Sequence, residues 1–320
     1  MRRDVLLQAR PTIWSCVCVD SCLSLVDGKT AEGEEVTMQE IGPGVYVETG
    51  FQGGTVGAIV TGEGVVLVDT PMLPWEARKW AAGISRLTNE KIRFVINTDH
   101  HTEHSLGNQF FGAPVIGHEL GWKEVTGYSE AYRQRLLDSL QVGDLERDLE
   151  LKGLAFVPPQ LTLTDRMILY LGDRSIQIIY VGGHCPSSIV VYLQKDGIVF
   201  AGDVVVNGVH PGLAQANSKA WLSALNRIRR MSVNVLVPGH GEPGGKDMTT
   251  AMSDYIREIR KGVRRHFVAG HSKAETYGQL LSRLSTFPLG DGKKDRIEQQ
   301  FKAGISQVYE EIKSEKGSKS

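Results

Sequence analysis

Asn97-Thr98-Asp99-His100-His101-Thr102-Glu103-His104 follows the apolar run Ile92-Arg93-Phe94-Val95-Ile96, so several metal-capable side chains fall within six positions at the end of a strand. Imidazole and carboxylate are the groups divalent cations take from proteins, and their density here makes a metal site the first expectation. Further candidates recur downstream in the same setting. His184 follows Ile176-Gln177-Ile178-Ile179-Tyr180-Val181-Gly182-Gly183, Asp203 ends Ile198-Val199-Phe200-Ala201-Gly202, and His240 ends Val235-Leu236-Val237-Pro238-Gly239. Strand ends held in a packed sheet are rigid mounts, which a polynuclear site needs to keep its ligands in register. A lone histidine is ordinarily a core or surface residue, and His118, His266 and His271 are read that way. For His101, His104, His184 and His240 the shared position after a strand outweighs that default.

Around this cluster the chain alternates strand and helix. Upstream, Val45-Tyr46-Val47-Glu48, Thr55 to Val60 and Gly64 to Asp69 have Gly-rich joints and read as hairpins feeding a sheet. Trp75 to Leu87 has helical spacing through Trp80, Ile84 and Leu87, and it leads into the strand before the cluster. That alternation indicates α/β layers. After Val115-Ile116-Gly117 comes a polar helical stretch from about Glu119 to Leu149. Strand patterns resume at Leu161–Leu163, Met167–Leu171, Ile176–Val181, Ile189–Leu193 and Ile198–Ala201, followed by a helix over Ala220–Met231 and a strand at Val233–Val237. Two halves result, each delivering candidate ligands from its strand ends. Beyond His240, the segments Asp247–Val268, Ala274–Leu284 and Asp295–Ile312 read as packing helices, and Lys313–Ser320 reads as a polar, solvated tail.

Composition narrows the partners. With 36 basic and 37 acidic residues mixed along 320, the net charge is −1, which offers no footprint for nucleic acid or an anionic membrane surface. No apolar run approaches the roughly 18–20 residues a membrane span requires. Residues 1–37 differ from the rest, and Asp4, Gln8, Arg10 and Pro11 interrupt any secretory signal. The segment is read either as disordered or as lying upstream of a true start at Met38. Cys16, Cys18 and Cys22 lie in it and Cys185 stands beside His184; without a paired knuckle, reduced thiols of a cytoplasmic protein are the simpler reading. The expected organisation is a leading segment 1–37, a core 38–245 and C-terminal helices with the tail over 246–320.

The cluster and its partners resemble the metallo-β-lactamase-fold superfamily of metal-dependent hydrolases, whose motif is His-x-His-x-Asp-His after a strand, followed by a His, an Asp in a Gly-Asp pair and a Gly-His. Asp99, His101, Glu103 and His104 fall on the four motif positions, His184 on the next, Asp203 on the bridging carboxylate and His240 on the last, across about residues 41–242. Val68-Asp69-Thr70-Pro71 resembles the early strand whose Asp stands behind the metal site. The resemblance implies a four-layer αβ/βα sandwich of two mixed β-sheets flanked by helices. It also implies two divalent ions, one on Asp99, His101 and His184, the other on Glu103, His104 and His240, with Asp203 between them. Zinc is the expected metal. Iron and manganese stay open, because Asp99 stands in place of a first His and Glu103 in place of the usual Asp, which hardens the site. His100 is one position from the usual first His and points to the other side of an extended segment, so Asp99 is preferred as ligand and His100 is read as a supporting or surface residue.

The activity so implied is hydrolysis of a small ester, thioester, lactone or amide by water ionised on the cations, with Asp203 holding the metals and Glu103 moving the proton. An iron-dependent redox or sulfur-oxidising enzyme of the same fold is the alternative, and a catalytically degenerate binding protein is a third reading. The partner is a small molecule, and oligomeric state is left open. The 119–149 stretch, with Trp122, Tyr128 and Tyr132, and the loop Val206–Pro211 are candidates for shaping the pocket. His210 is read as a substrate contact or as solvent-facing.

Overall fold

The computed structural model describes residues 37–288 and 294–317. Expectations about the leading segment and Cys16, Cys18 and Cys22 fall outside them. Strands β1 (Gln39–Gly42), β2 (Val45–Glu48), β3 (Val56–Thr61), β4 (Gly64–Val68), β5 (Ile92–Ile96), β6 (Val115–His118) and β7 (Leu161–Leu163) form a seven-stranded sheet in that spatial order. Its first half is antiparallel, and the pairs β4/β5, β5/β6 and β6/β7 are parallel. Strands β8 (Arg166–Leu171), β9 (Arg174–Tyr180), β10 (Ile189–Leu193), β11 (Ile198–Phe200) and β12 (Val235–Val237) form a second, five-stranded sheet, antiparallel except for β11/β12.

Period-two alternation assigns the layers. Ile59, Val66 and Val68 of the first sheet share a cluster with Ile176, Ile178, Val191 and Phe200 of the second, so these faces pack against each other. Their neighbours Ala58, Val65 and Leu67 point the other way, onto Ala77, Trp80 and Ile84 of α1 (Pro74–Leu87). On the outer face of the second sheet, Val190, Tyr192 and Val199 meet Trp221, Leu225 and Ile228 of α6 (Ser218–Arg230). The order helix, sheet, sheet, helix is therefore the four-layer sandwich. Each Val, Leu or Ile fully buried this way contributes roughly 1.5–3 kcal/mol. One close approach requires a glycine: a Cβ on Gly57 would lie 2.3 Å from the Phe200 ring across the sandwich.

The remaining helices position loops. Helices α3 (Glu119–Thr126), α4 (Glu130–Leu140) and α5 (Leu145–Lys152) occupy the stretch read as helical, capped by His118, Ser129 and Asp144. Leu137, Leu140 and Leu151 pack on Met72, Leu73 and Leu106, beside the metal-motif segment. Helices α7 (Asp247–Val268), α8 (Lys273–Leu280) and α9 (Lys294–Gly317) follow, and Ile256, Ile259, Phe301 and Ile305 join the same apolar cluster as α6. The polar tail expected from Lys313 instead continues α9 to Gly317, because Glu315 accepts hydrogen bonds from Arg260 and Arg264, each at 2.6 Å. Among the described residues, no helix is long and apolar enough to cross a membrane.

Candidate metal centre

Strand direction explains why distant candidate ligands meet. Since β9 is antiparallel to β10, and β10 to β11, strands β9, β11 and β12 run the same way and release His184, Asp203 and His240 at one edge. The parallel strands β4 and β5 release Asp69 and the motif segment. Backbone bonds tie the two sheets together there: Ile189 N donates to Thr98 O at 2.8 Å, and Thr55 N to Gly239 O at 2.7 Å.

Two groups of donor atoms result, each with all members within 4.8 Å of one another: Asp99, His101 and His184 in one, Glu103, His104, Asp203 and His240 in the other. Asp203 stands between them. Its Oδ1 lies 3.3 Å from His104 Nε2 and 3.4 Å from His240 Nε2, while its Oδ2 lies 3.6 Å from His184 Nε2. Asp99 Oδ2 is 3.1 Å from His101 Nδ1 and 3.7 Å from His184 Nε2. Asp99 Oδ1 accepts the His101 backbone N–H at 2.8 Å, which fixes the carboxylate toward the cluster. His100 turns away, its ring buried and its Nδ1 2.7 Å from Ser187 Oγ. Helix α2 (Thr102–Ser105) is one turn long and carries half-buried Glu103 and fully buried His104.

Outer partners orient the rings. His104 Nδ1 faces Asp69 Oδ2 at 3.1 Å, and that carboxylate also accepts Thr98 N and Thr98 Oγ1, both at 2.7 Å. Asp69 itself sits in left-handed backbone at φ 59°, where Asp is one of the few non-glycine residues at ease. His184 Nδ1 faces Gly212 O at 3.1 Å, and His101 Nε2 faces Gln215 Oε1 at 3.0 Å. In each of these three rings the other nitrogen points into the donor groups. Two inward atoms, His104 Nε2 and Asp203 Oδ1, are buried without a hydrogen-bond partner. Orphans of that kind, facing each other, are what a cation would satisfy, so the donor set fits divalent metal.

Charge coupling inside the site is strong. Burial alone would raise the Asp203 carboxyl, but His240 and His104 outweigh it and hold it well below the carboxylate range. Asp99 is treated likewise by His101 and His104 against the effect of burial. Burial would lower His101, yet Asp99 and Glu103 lift it to about 10, and Asp69 and Asp203 lift His104 well above its usual value in the same way. His184 goes down, because burial, with His101 beside it, outweighs the pull of Asp203.

The sequence model of the metallo-beta-lactamase superfamily matches residues 49–240. The chain belongs to that superfamily. A metallo-beta-lactamase family protein from Thermus thermophilus shares the fold with a TM-score of 0.62 at 20% identity, covering 86% of this chain and 94% of that one. Among curated relatives, a linear primary-alkylsulfatase of Pseudomonas sp. (strain ATCC 19151) is 22% identical over 288 residues, 78% of this chain and 53% of the relative. The chain thus spans about half the length of that relative. A metallo-beta-lactamase type 2 from Elizabethkingia meningoseptica is 24% identical over 243 residues, 72% of this chain and 88% of the relative. The donor groups above lie within the matched residues.

Other residues singled out in the sequence divide between the surroundings of the motif segment and more distant parts of the fold. His118 caps α3 and faces Thr164 O, and His266 pairs with His271 at 2.9 Å. His210 is neither solvent-facing nor turned to the site: its Nε2 accepts from Tyr255 OH at 2.8 Å among Phe287 and Phe301. Tyr128 donates to His100 O at 3.1 Å and lies against Tyr132 and Phe156, while Trp122 is exposed. Nothing in the sequence marks Gln215, Gly212 or Ser187, because each touches a candidate ligand or its neighbour from 28 to 114 positions away and has no motif of its own.

Proposed function

We propose that the chain is a two-metal hydrolase of small-molecule esters, thioesters, lactones or amides. The observation that carries it is the facing pair of partnerless buried atoms, His104 Nε2 and Asp203 Oδ1, inside a ring of donors in which His101, His104 and His184 already have their outer nitrogens engaged. Asp99, His101 and His184 would hold one ion and Glu103, His104 and His240 the other, with Asp203 offering one oxygen to each. Bound there, divalent cations supply a nucleophile from water at neutral pH and stabilise charge developing on the attacked carbonyl oxygen.

The chain's own residues do the rest. Asp203 keeps the two groups at fixed separation. Glu103, half-buried on α2, has an oxygen within reach of the His104, Asp203 and His240 donors and is placed to carry a proton to the leaving group. Four imidazoles with three carboxylates favour zinc, while Asp99 in an imidazole position keeps iron or manganese, and with iron a redox reaction, as the second reading. The name of the alkylsulfatase relative adds sulfate esters to the bonds worth offering.

The test is elemental analysis of the full chain beside an Asp203→Ala variant, followed by a panel of esters, thioesters, lactones, lactams and alkyl sulfates. Close to two zinc ions per chain, lost in the variant together with turnover, is the expected result. Iron in their place would move the reading to redox chemistry, and a metal-free wild type would leave the degenerate binding protein.

A further inference from the structure

Two of the site histidines take their outer hydrogen bond from one loop. Gly212 O faces His184 Nδ1 at 3.1 Å, and Gln215 Oε1 faces His101 Nε2 at 3.0 Å. Both rings belong to the Asp99–His101–His184 group, whereas His104 of the other group is served by Asp69 at the end of β4. An imidazole with its proton on the outer nitrogen presents a lone pair at the inner one, so an outer acceptor selects tautomer and ring orientation together. For His101 the inner atom is Nδ1, 3.1 Å from Asp99 Oδ2 and 3.3 Å from His184 Nε2.

The loop is irregular, and much of what holds it comes from the C-terminal helices. His210 accepts from Tyr255 OH of α7 at 2.8 Å, with its ring edge-on to Phe301 of α9. Burial pushes His210 down to about 4, so it is neutral and suited to accept that bond. Leu213 packs so tightly on α9 that a Cβ on Gly304 would lie 2.7 Å from its own Cβ. Gln307 Nε2 donates to Ala216 O at 2.9 Å, and Glu311 accepts from Ser218 N at 3.0 Å while paired to Arg260. Residues 210 to 218 are therefore fastened at four points to helices that carry no ligand.

We propose that loop 210–217, fastened by α7 and α9, sets the cation affinity of the Asp99–His101–His184 half of the site, with Gln215 the positioning residue for His101. This rests on the two-metal reading above. It gives the C-terminal helices a role beyond packing: they hold the acceptors that aim two ligands. Removing an outer partner of a metal-bound imidazole typically weakens binding by about 10–100-fold. Gln215 is exposed, so water competes for its place and the effect falls near tenfold.

The experiment is a calorimetric zinc titration of chelator-stripped full-length protein, comparing wild type with His101→Ala, Gln215→Ala, Gln215→Glu and Gln307→Ala. Wild type should show two uptake steps, and His101→Ala should lose one of them. Gln215→Ala should weaken that same step about tenfold and spare the other, with Gln215→Glu restoring it, since a carboxylate still accepts the His101 N–H. Gln307→Ala should weaken the same step by a smaller factor. Unchanged titrations in both Gln215→Ala and Gln307→Ala, or equal weakening of both steps, would overturn the positioning role. If wild type takes up no zinc at all, the two-metal reading falls and this inference with it.

Discussion

Replacing Asp69 with Asn should strip metal from the His104 half of the site while leaving the fold intact. The carboxylate is 2% exposed and accepts three hydrogen bonds, from Thr98 N, Thr98 Oγ1 and His104 Nδ1. Asn has nearly the same shape and tolerates φ 59° as well as Asp does, so the backbone contributes little to the change. Its NH2 cannot accept. In one orientation it opposes His104 Nδ1–H, and in the other it opposes Thr98 N–H. The least costly escape is for His104 to move its proton to Nε2, which then points a hydrogen at Asp203 and blocks the donor position. Loss of a charge-assisted bond costs roughly 1.5–3 kcal/mol. The matching loss of metal affinity is about 10–100-fold, or about 1.4–2.8 kcal/mol. Competition for zinc against a chelator of known affinity measures it, with circular dichroism confirming the fold. An Asp69→Asn variant that keeps both ions within about threefold of wild-type affinity, well short of the expected loss, would rule this account out.

Four further outcomes are expected. In metal-free protein, His101 is raised to about 10, and His104 and His240 are raised as well, so their stabilisation is full below the unfolded value near 6.5 and is lost as pH rises through the folded values. The melting temperature of metal-free protein should therefore fall between pH about 6.5 and about 10. Zinc affinity should rise over the same window, because the ligands bind only after releasing those protons; a flat affinity would count against the coupling. Gly57→Val should cost about 1–3 kcal/mol by overpacking against Phe200, and Phe200→Leu in the same chain should recover part of it, as read by urea unfolding. Glu103→Gln should retain at least one ion yet slow turnover of any substrate found by about 100-fold or more, since the amide carries no proton to the leaving group; unchanged turnover would remove Glu103 from the chemistry.

Much of the architecture is legible in the residues because strand and helix write different periods. Ile59 and Ala58, or Val66 and Leu67, alternate between the two faces of one sheet, and Ile256, Ile259 and Val263 repeat at helical spacing. The ligand candidates are legible for another reason. His101, His104, His184, Asp203 and His240 each follow an apolar strand, and rigid strand ends are where convergent donors are mounted. Counting sides of an extended segment favours Asp99 over His100, and the buried His100–Ser187 contact is the alternative that the neighbouring ring adopts.

Layer order, donor types and the strand ends that carry them can be read from the chain alone, since they depend on local periodicity and on residues close together in sequence. Folding had to bring distant segments together before the donors divided into two groups, before Asp203 offered one oxygen to each, and before Gly212 and Gln215 could set the rings. The same holds for the continuation of α9 to Gly317 and for His210, an anchor in an aromatic setting rather than a substrate contact. The cause is common to all of these: a hydrogen bond between residues tens of positions apart is created by packing, and no local pattern in the chain encodes it.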